Sequence, residues 1–295
     1  MQGPAVTVVI PVFNGAATLG AALDSVLAQS FADFEAIVVD DASTDDLAAV
    51  LAARPDPRLR LLRLEANRGA GGARNAGIAE ARGRLVAFLD ADDFWHPDKL
   101  ARQVPFLDGL PADAAVACTA FVLRRAATGV ERIHRPAYRA DQPALPMLAF
   151  GCDLSPGTTL LARREAFPAV GPFDERLRRL EDWDWLLRYA ARGAIGTLDA
   201  PLATVNVTGP PDGDLTLAAL DLLERKWTHH SHNLLGPHVR RVQSSIWVER
   251  AAVHFRRGEL IAPIRCVARS FRYYPRRNWR FFLRMAGHLL RPGRR

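Results

Sequence analysis

Through its first hundred residues the chain alternates unbroken apolar runs with amphipathic stretches. "AVTVVIPVF" (5–13) and "FEAIVVDD" (34–41) are continuous and β-branched, as strands covered on both faces should be. "RLRLLRL" (58–64) alternates instead, and 84–89, with Val86, Ala87, Phe88 and Leu89, reads as a fourth strand. Helical patterns fill the gaps. Thr18 is placed to cap a helix whose Leu19, Ala22, Leu23, Val26 and Leu27 share one face. Ser43 or Thr44 is placed to cap the next. "AGGARNAGIAEARG" (70–83) reads as a small-residue helix closed by Gly83. This βαβαβαβ order predicts an α/β fold with a doubly wound, mostly parallel, Rossmann-like sheet.

After Pro97, which suits the first turn of a helix, the pattern changes. "AAVACTAFVLRR" and "GVERIHR" read as a strand pair around Thr128-Gly129, and "GTTLLARREAF" as a strand running into a helix. "EDWDWLLRYAARG" (181–193) is a helix with Leu186, Leu187 and Ala190 inward. From about 215 onward the signals are helical and Arg-rich. The Pro/Gly cluster "TGPPDGD" (208–214) is the best boundary. It divides a first domain, 1–207, with halves of about 1–100 and 101–207, from a helical, basic C-terminal extension, 208–295.

Ligands of doubly wound sheets bind beyond the carboxyl ends of the strands. Three features stand at those ends: Phe13-Asn14-Gly15, Asp40-Asp41, and Asp90, Asp92 and Asp93. Sequence order alone predicts that they converge. Hard cations such as Mg²⁺ take oxygen ligands, often one or two carboxylates plus substrate phosphates, so an Asp-x-Asp pair on a buried strand offers such a site. A polar turn capping the 97–109 helix is the plainer alternative.

Several spaced stretches are similar to one known family. "VTVVIPVFNGAATLGAALDSVLAQSFADFEAIVVDDASTD", "NRGAGGARNAGIAEARGRLVAFLDADDFWHPDKL" and "GPFDERLRRLEDWDWLLR" resemble, in order, the motifs of family-2 glycosyltransferases with a GT-A fold. The resemblance covers roughly residues 5 to 200. It implies transfer of a sugar from a nucleoside-diphosphate sugar, UDP- or dTDP-linked, to a hydroxyl of a glycan or lipid-linked acceptor. It further implies inversion at the anomeric carbon, a Mg²⁺ or Mn²⁺ cofactor and cell-surface polysaccharide synthesis. By the same resemblance, Pro11, Phe13 and Asn14 line the base pocket. Asp41 accepts the N3–H of uracil or thymine, while Asp40 supports the turn. Arg74 pairs with diphosphate, beside Asn75, and Asp90 contacts the ribose. Asp92 and then Asp93 hold the metal. Asp182 is the general base, with Glu181 and Trp183 in acceptor or supporting roles. Asp184, two positions on, faces elsewhere. The chain departs from the family after residue 200. "ATVNVTGPPDG" stands where a Tyr-Arg-x-His segment often supplies a metal-binding His, and His229, His230 and His232 come later.

Charge adds a second theme. Of the net +7, residues 225–295 carry 16 Arg and Lys226 against Glu249 and Glu259, a balance of +15, leaving −8 on the other 224 residues. The extension mixes Arg with Phe271, Tyr273, Tyr274, Trp279, Phe281 and Phe282. That mixture points to an anionic membrane surface, with a helix packed on the body as the plain alternative and nucleic acid as the third and unsupported one. Cys118, Cys152 and Cys266 lack CxxC spacing, so neither a disulfide framework nor a zinc site is expected. With no signal peptide and no long apolar span in view, a cytoplasmic protein peripheral to the inner membrane face is expected. Two other functions compete: a nucleotidyltransferase, though "PVFNGAATLG" lacks its basic phosphate loop, and a non-catalytic nucleotide-sugar or nucleic-acid binder.

Overall fold

The apolar runs become strands. The computed structural model describes residues 3–229 and 232–275. In it β1 (Val6–Val12), β2 (Phe34–Asp40), β3 (Leu59–Arg63) and β4 (Leu85–Phe88) lie parallel in the order β3-β2-β1-β4. All of β2 and all but one residue of β1 are buried, whereas β3 at the edge has no fully buried residue, which explains its alternating pattern. Between them run α1 (Ala16–Leu27), α2 (Leu47–Ala52) and α3 (Gly69–Ala79). Val6, Val8, Ile10 and Val12 share one core cluster with Leu19, Leu23 and Val26 of α1. Val9, on the opposite face of β1, meets α3, where a Cβ on Gly77 would stand 2.4 Å from Val9 Cγ1.

The second half adds β5 (Phe94–Trp95), α4 (Lys99–Asp108), β6 (Val116–Arg125), β7 (Glu131–His134), α5 (Leu145–Leu148), α6 (Pro156–Thr159), β8 (Leu161–Arg163), α7 (Ala166–Val170), α8 (Glu181–Ala190) and β9 (Ile195–Val207). β6 and β7 pair antiparallel around Gly129, at φ +63°. β8 joins β4 and β6 antiparallel. β9 runs parallel to β6 and antiparallel to β5. Among the described residues the nine strands form one mixed sheet, β3-β2-β1-β4-β8-β6-β9-β5, with β7 on β6. β9 has no counterpart in the sequence pattern. Pro201 interrupts its apolar run, and the pairing with β6 shifts register on either side of Ala120, the residue opposite Pro201.

Three helix ends differ from expectation. α1 starts at Ala16, ahead of Thr18, because Asp45 Oδ2 accepts from Ala16 N at 2.7 Å and caps the helix from a distant segment. α2 is capped by Asp46, which accepts from Ala49 N at 3.0 Å, while the Ser43 hydroxyl accepts from Asn14 N. α3 ends at Ala79. Gly83 lies beyond it and permits a close backbone approach: a Cβ there would sit 2.5 Å from Thr7 N.

The chain divides into two compact units, Met1–Ala144 with Cys152–Pro210, and Leu145–Gly151 with Pro211–Arg295. The first holds the whole sheet. The second holds α9 (Gly213–His229), α10 (His232–Leu235), α11 (Val239–Arg256) and α12 (Ile261–Tyr273) along with α5. Leu220, Leu223, Trp227, Val242 and Ile246 are buried in it, Ala251, Cys266 and Val267 cluster with Trp247, Phe255 and Phe271, and Arg250 pairs with Asp221 and Glu224. Among the described residues no helix is long and apolar enough to cross a membrane.

The Gly77 contact makes a stability prediction. Gly77→Val forces α3 off β1, and its urea midpoint should correspond to a loss of about 1–3 kcal/mol. A wild-type midpoint would mean that α3 is not seated on Val9 as described.

Candidate active site

At the carboxyl ends of β1, β2 and β4 lies a cavity of about 640 Å³. β1 delivers Pro11, Phe13 and Asn14 to it. Phe13 is 52% exposed on the cavity wall, so it is not a core residue. Asn14 turns the chain with φ +50°, a conformation Asn tolerates, and is fixed there from both sides. Its N donates to Ser43 Oγ at 2.9 Å, and its Oδ1 accepts from Thr44 N at 2.8 Å.

The two acids at the end of β2 do different work. Asp40 is buried and accepts from Ser43 N at 2.7 Å, so it holds the turn. Asp41 lines the cavity. Its oxygens accept from Arg68 N and Gly69 N, both at 2.7 Å, at the start of α3. Burial nonetheless pushes its carboxyl above the usual range, against the pull of those two N–H groups.

From α3, Arg74 is buried and aimed into the same wall. It donates to Glu181 Oε1 at 2.6 Å and to Asp90 Oδ1 at 2.7 Å. Burial works against its charge, but Asp90, Glu181 and Asp182 outweigh it and hold the guanidinium protonated. Phe88 and Phe173 lie beneath it, with Cζ 5.7 and 6.0 Å from their ring centroids. The neighbouring Asn75 instead ties α3 to the backbone of Phe173.

β4 carries the acidic turn. Asp90 and Asp92 line the cavity. Desolvation and the charge of Asp90 raise the Asp92 carboxyl above its ordinary pKa. Asp93 points elsewhere: it is buried, its Oδ2 accepts from the Thr158 hydroxyl, and its Oδ1 accepts from Asn206 N at 2.7 Å. Burial, then the Asp90 charge, pushes Asp93 up to about 8. A divalent cation fits the chemistry of this donor set. Two crowded carboxylates, one of them raised by its neighbour's charge, face a space open to substrate phosphates, the arrangement Mg²⁺-type sites use. The oxygens on offer belong to Asp90 and Asp92. Among the described residues no cluster of three His, Cys, Asp or Glu completes a shell, and the side chains of His229, His230 and His232 lie outside them.

The facing wall comes from the start of α8. Leu180 takes φ +63° at the N-cap, and Glu181 and Asp182 follow into the cavity. Asp182 is half-buried and accepts from Trp183 N at 2.7 Å. Burial and the adjacent Glu181 push its carboxyl up to about 6, with Arg74 pulling the other way. Asp184 is buried and pairs with Arg188 at 3.1 Å. Trp183 and Trp185 are buried and do not line the cavity; Trp185 donates to Gly171 O and stacks on Tyr189. The motif reading missed Arg178, Arg179 and Thr208, which do line it. Arg178 donates to Asn67 of the "NRG" segment. For the two arginines the available signal was the Arg-Arg pair one residue ahead of the acid pair.

Comparisons with known proteins give the chain a family and a fold. The profile of Glycosyl transferase family 2 matches residues 7–169, and the chain belongs to that family. Its mixed, mostly parallel sheet with flanking helices is that of the GT-A fold. The succinoglycan biosynthesis protein ExoO of Rhizobium meliloti is 50% identical over 38% of this chain and 32% of its own length. WfgD of Escherichia coli, a UDP-Glc:alpha-D-GlcNAc-diphosphoundecaprenol beta-1,3-glucosyltransferase, is 39% identical over 35% of this chain and 40% of its own. The chain thus spans well under half the length of both relatives. Among solved structures, Staphylococcus aureus TarS 1-349 in complex with UDP-GlcNAc superposes with TM-score 0.59 at 20% identity, over 90% of this chain and 91% of that one. The Pyrobaculum calidifontis mannosyltransferase PcManGT with GDP-Man and Mn²⁺ gives 0.63 at 18%, over 98% and 81%.

The Arg74 bridge predicts a large stability effect. Arg74→Met strands the buried Glu181 carboxylate and should cost about 3–5 kcal/mol in chemical denaturation. Adding Glu181→Met should recover much of it, and a double variant no better than the single one would contradict the pairing.

Proposed function

We propose that the chain is an inverting, metal-dependent glycosyltransferase. It moves a sugar from a UDP- or dTDP-sugar to a hydroxyl of a lipid-linked glycan in cell-surface polysaccharide synthesis. One observation carries the reading: Asp41, Asp92 and Asp182 line one cavity, and the environment of Asp182 brings its carboxyl to about 6. A carboxylate poised near neutrality is what a general base needs. The acceptor and pathway rest on likeness to ExoO and WfgD, whose names give succinoglycan biosynthesis and a diphosphoundecaprenol-linked acceptor.

Each residue then has a task. Phe13 stacks on the base, and Asp41, with one lone pair left on each oxygen, accepts its N3–H. Pro11 and Asn14 shape the same pocket. Asp90 and Asp92 would hold Mg²⁺ or Mn²⁺, which when bound supplies positive charge to the departing diphosphate. Asp182 takes the proton of the acceptor hydroxyl as that oxygen bonds to the anomeric carbon. The bond from that carbon to diphosphate breaks, and the nucleoside diphosphate leaves with the electron pair. Arg74 keeps Glu181 and Asp90 in place, and Arg178 and Arg179 add positive charge to the donor's wall. Asp93 serves by holding the turn through Thr158 and β9 rather than by binding metal. The enzyme works at the inner face of the membrane, with its basic extension toward anionic lipid. Of the aromatics in that extension, Phe271, Tyr273 and Tyr274 belong to the described residues, and Trp279, Phe281 and Phe282 lie outside them.

A panel of nucleoside-diphosphate sugars with Mn²⁺, monitored for released UDP or dTDP, tests the reaction, and chelation should abolish release. Turnover should rise as pH passes through about 6 and level off above it, because Asp182 acts ionised. Asp182→Asn should keep donor affinity and lower turnover by roughly 10²–10⁴-fold. Glu181→Gln should move the midpoint down, since the Glu181 charge is part of what raises it. A pH profile unchanged in Asp182→Asn assigns the base elsewhere.

Asp41→Ala should weaken UDP binding by about 1–3 kcal/mol in calorimetry. Unaltered affinity would remove Asp41 from the base pocket.

A further inference from the structure

α12 presents two opposite faces. Pro263, Cys266, Val267 and Ser270 are buried. Ile261, Ile264, Arg265, Ala268, Arg269 and Arg272 are exposed, and their spacing of three and four places them in one stripe. Leu260 extends the stripe at its N-terminal end. Leu260, Ile261 and Ile264 are 62%, 66% and 45% exposed, an aliphatic knob on the surface of the helical unit. The rest of the stripe is basic. No carboxylate pairs with Arg265, Arg269 or Arg272 among the described residues, and Arg269 lies 4.3 Å over the ring of Trp247.

We infer that this stripe of α12 is a docking surface for an anionic lipid bilayer, with Leu260, Ile261 and Ile264 entering the headgroup layer and Arg265, Arg269 and Arg272 meeting lipid phosphates. It deepens the lipid-linked-acceptor reading and rests on that reading for its purpose. Charge selects the occupant. From Leu260 to Arg295 the sequence holds ten Arg and no Asp or Glu. Residues 276–295 laid over the stripe would therefore set like charge against like. A nucleic acid answers the arginines but offers no apolar layer to three exposed aliphatic side chains. An anionic bilayer answers both, since amphipathic helices bind through buried apolar area together with attraction to acidic headgroups.

Co-sedimentation of the full chain with vesicles tests this. Binding is expected to mixed phosphatidylglycerol and phosphatidylcholine, to weaken in high salt, and to be minor with phosphatidylcholine alone. Ile261→Asp with Ile264→Asp should lower partitioning about tenfold or more, and so should charge reversal of Arg265, Arg269 and Arg272. All five residues are exposed, so circular dichroism and donor hydrolysis should match wild type. Wild-type partitioning by both variants, with loss only when residues 276–295 are removed, overturns the assignment. So does displacement from vesicles by duplex RNA. Hydrolysis is read in parallel: its absence from the wild-type chain with vesicle binding intact defeats the catalytic reading and leaves the surface standing.

Discussion

The guanidinium of Arg74 holds the cavity together. It bridges Asp90, at the end of β4, and Glu181, at the start of α8, two acids that lie 91 positions apart in the chain and would otherwise repel across the cavity. A buried cation with two carboxylates is costly to break and not, by itself, a source of stability. Its value here is register. It fixes how far the α8 end stands from the strand ends. The phenyl rings of Phe88 and Phe173 lie below it. The same ion sets the chemistry of its neighbour, because Asp182 feels Glu181 upward and Arg74 downward.

Around that bridge the backbone is bent into uncommon conformations. Asn14, Ala42, Ser155 and Leu180 are the non-glycine residues with positive φ among those described. Asn14 and Leu180 line the cavity, Ala42 follows Asp41, and Ser155 precedes the helix that carries Thr158, the partner of Asp93. Such residues each cost on the order of 1–3 kcal/mol and persist only where surroundings hold them. Here the holders are visible: Ser43 and Thr44 for Asn14, and the Arg74–Glu181 pair beside Leu180. Gly157 contributes by lacking a side chain, since a Cβ there would lie 2.3 Å from Asp90 Oδ2.

What the sequence disclosed follows the range of the forces involved. β1, β2 and β4 were legible because burial on both faces writes an unbroken apolar run. Phe13, Asp41, Asp92 and Asp182 were legible because the ends of parallel strands are where ligands sit and because spaced motifs agreed. Helix ends were not: Asp45 reaches the N-terminus of α1 from 29 positions away, and Asp46 caps α2 locally while the Ser43 hydroxyl is taken by Asn14 N. β9 was hidden by Pro201, which the register shift absorbs. The inward turn of Asp93 could not be read either. Consecutive acids in a turn look alike until Thr158 and Asn206 choose one of them.

That choice has a consequence for how the protein is made. Asp93 is held by Asn206, and β5 by Ala203 and Thr204, all more than a hundred residues downstream. Contacts of such separation form late, after the loop between them has closed. On the ribosome, β1 to β4 can assemble with Arg74 on Asp90, while Asp93 waits for Thr158 and Asn206 to leave the exit tunnel. A chain cut near residue 100 would therefore keep the Arg74–Asp90 tie and lose both partners of Asp93.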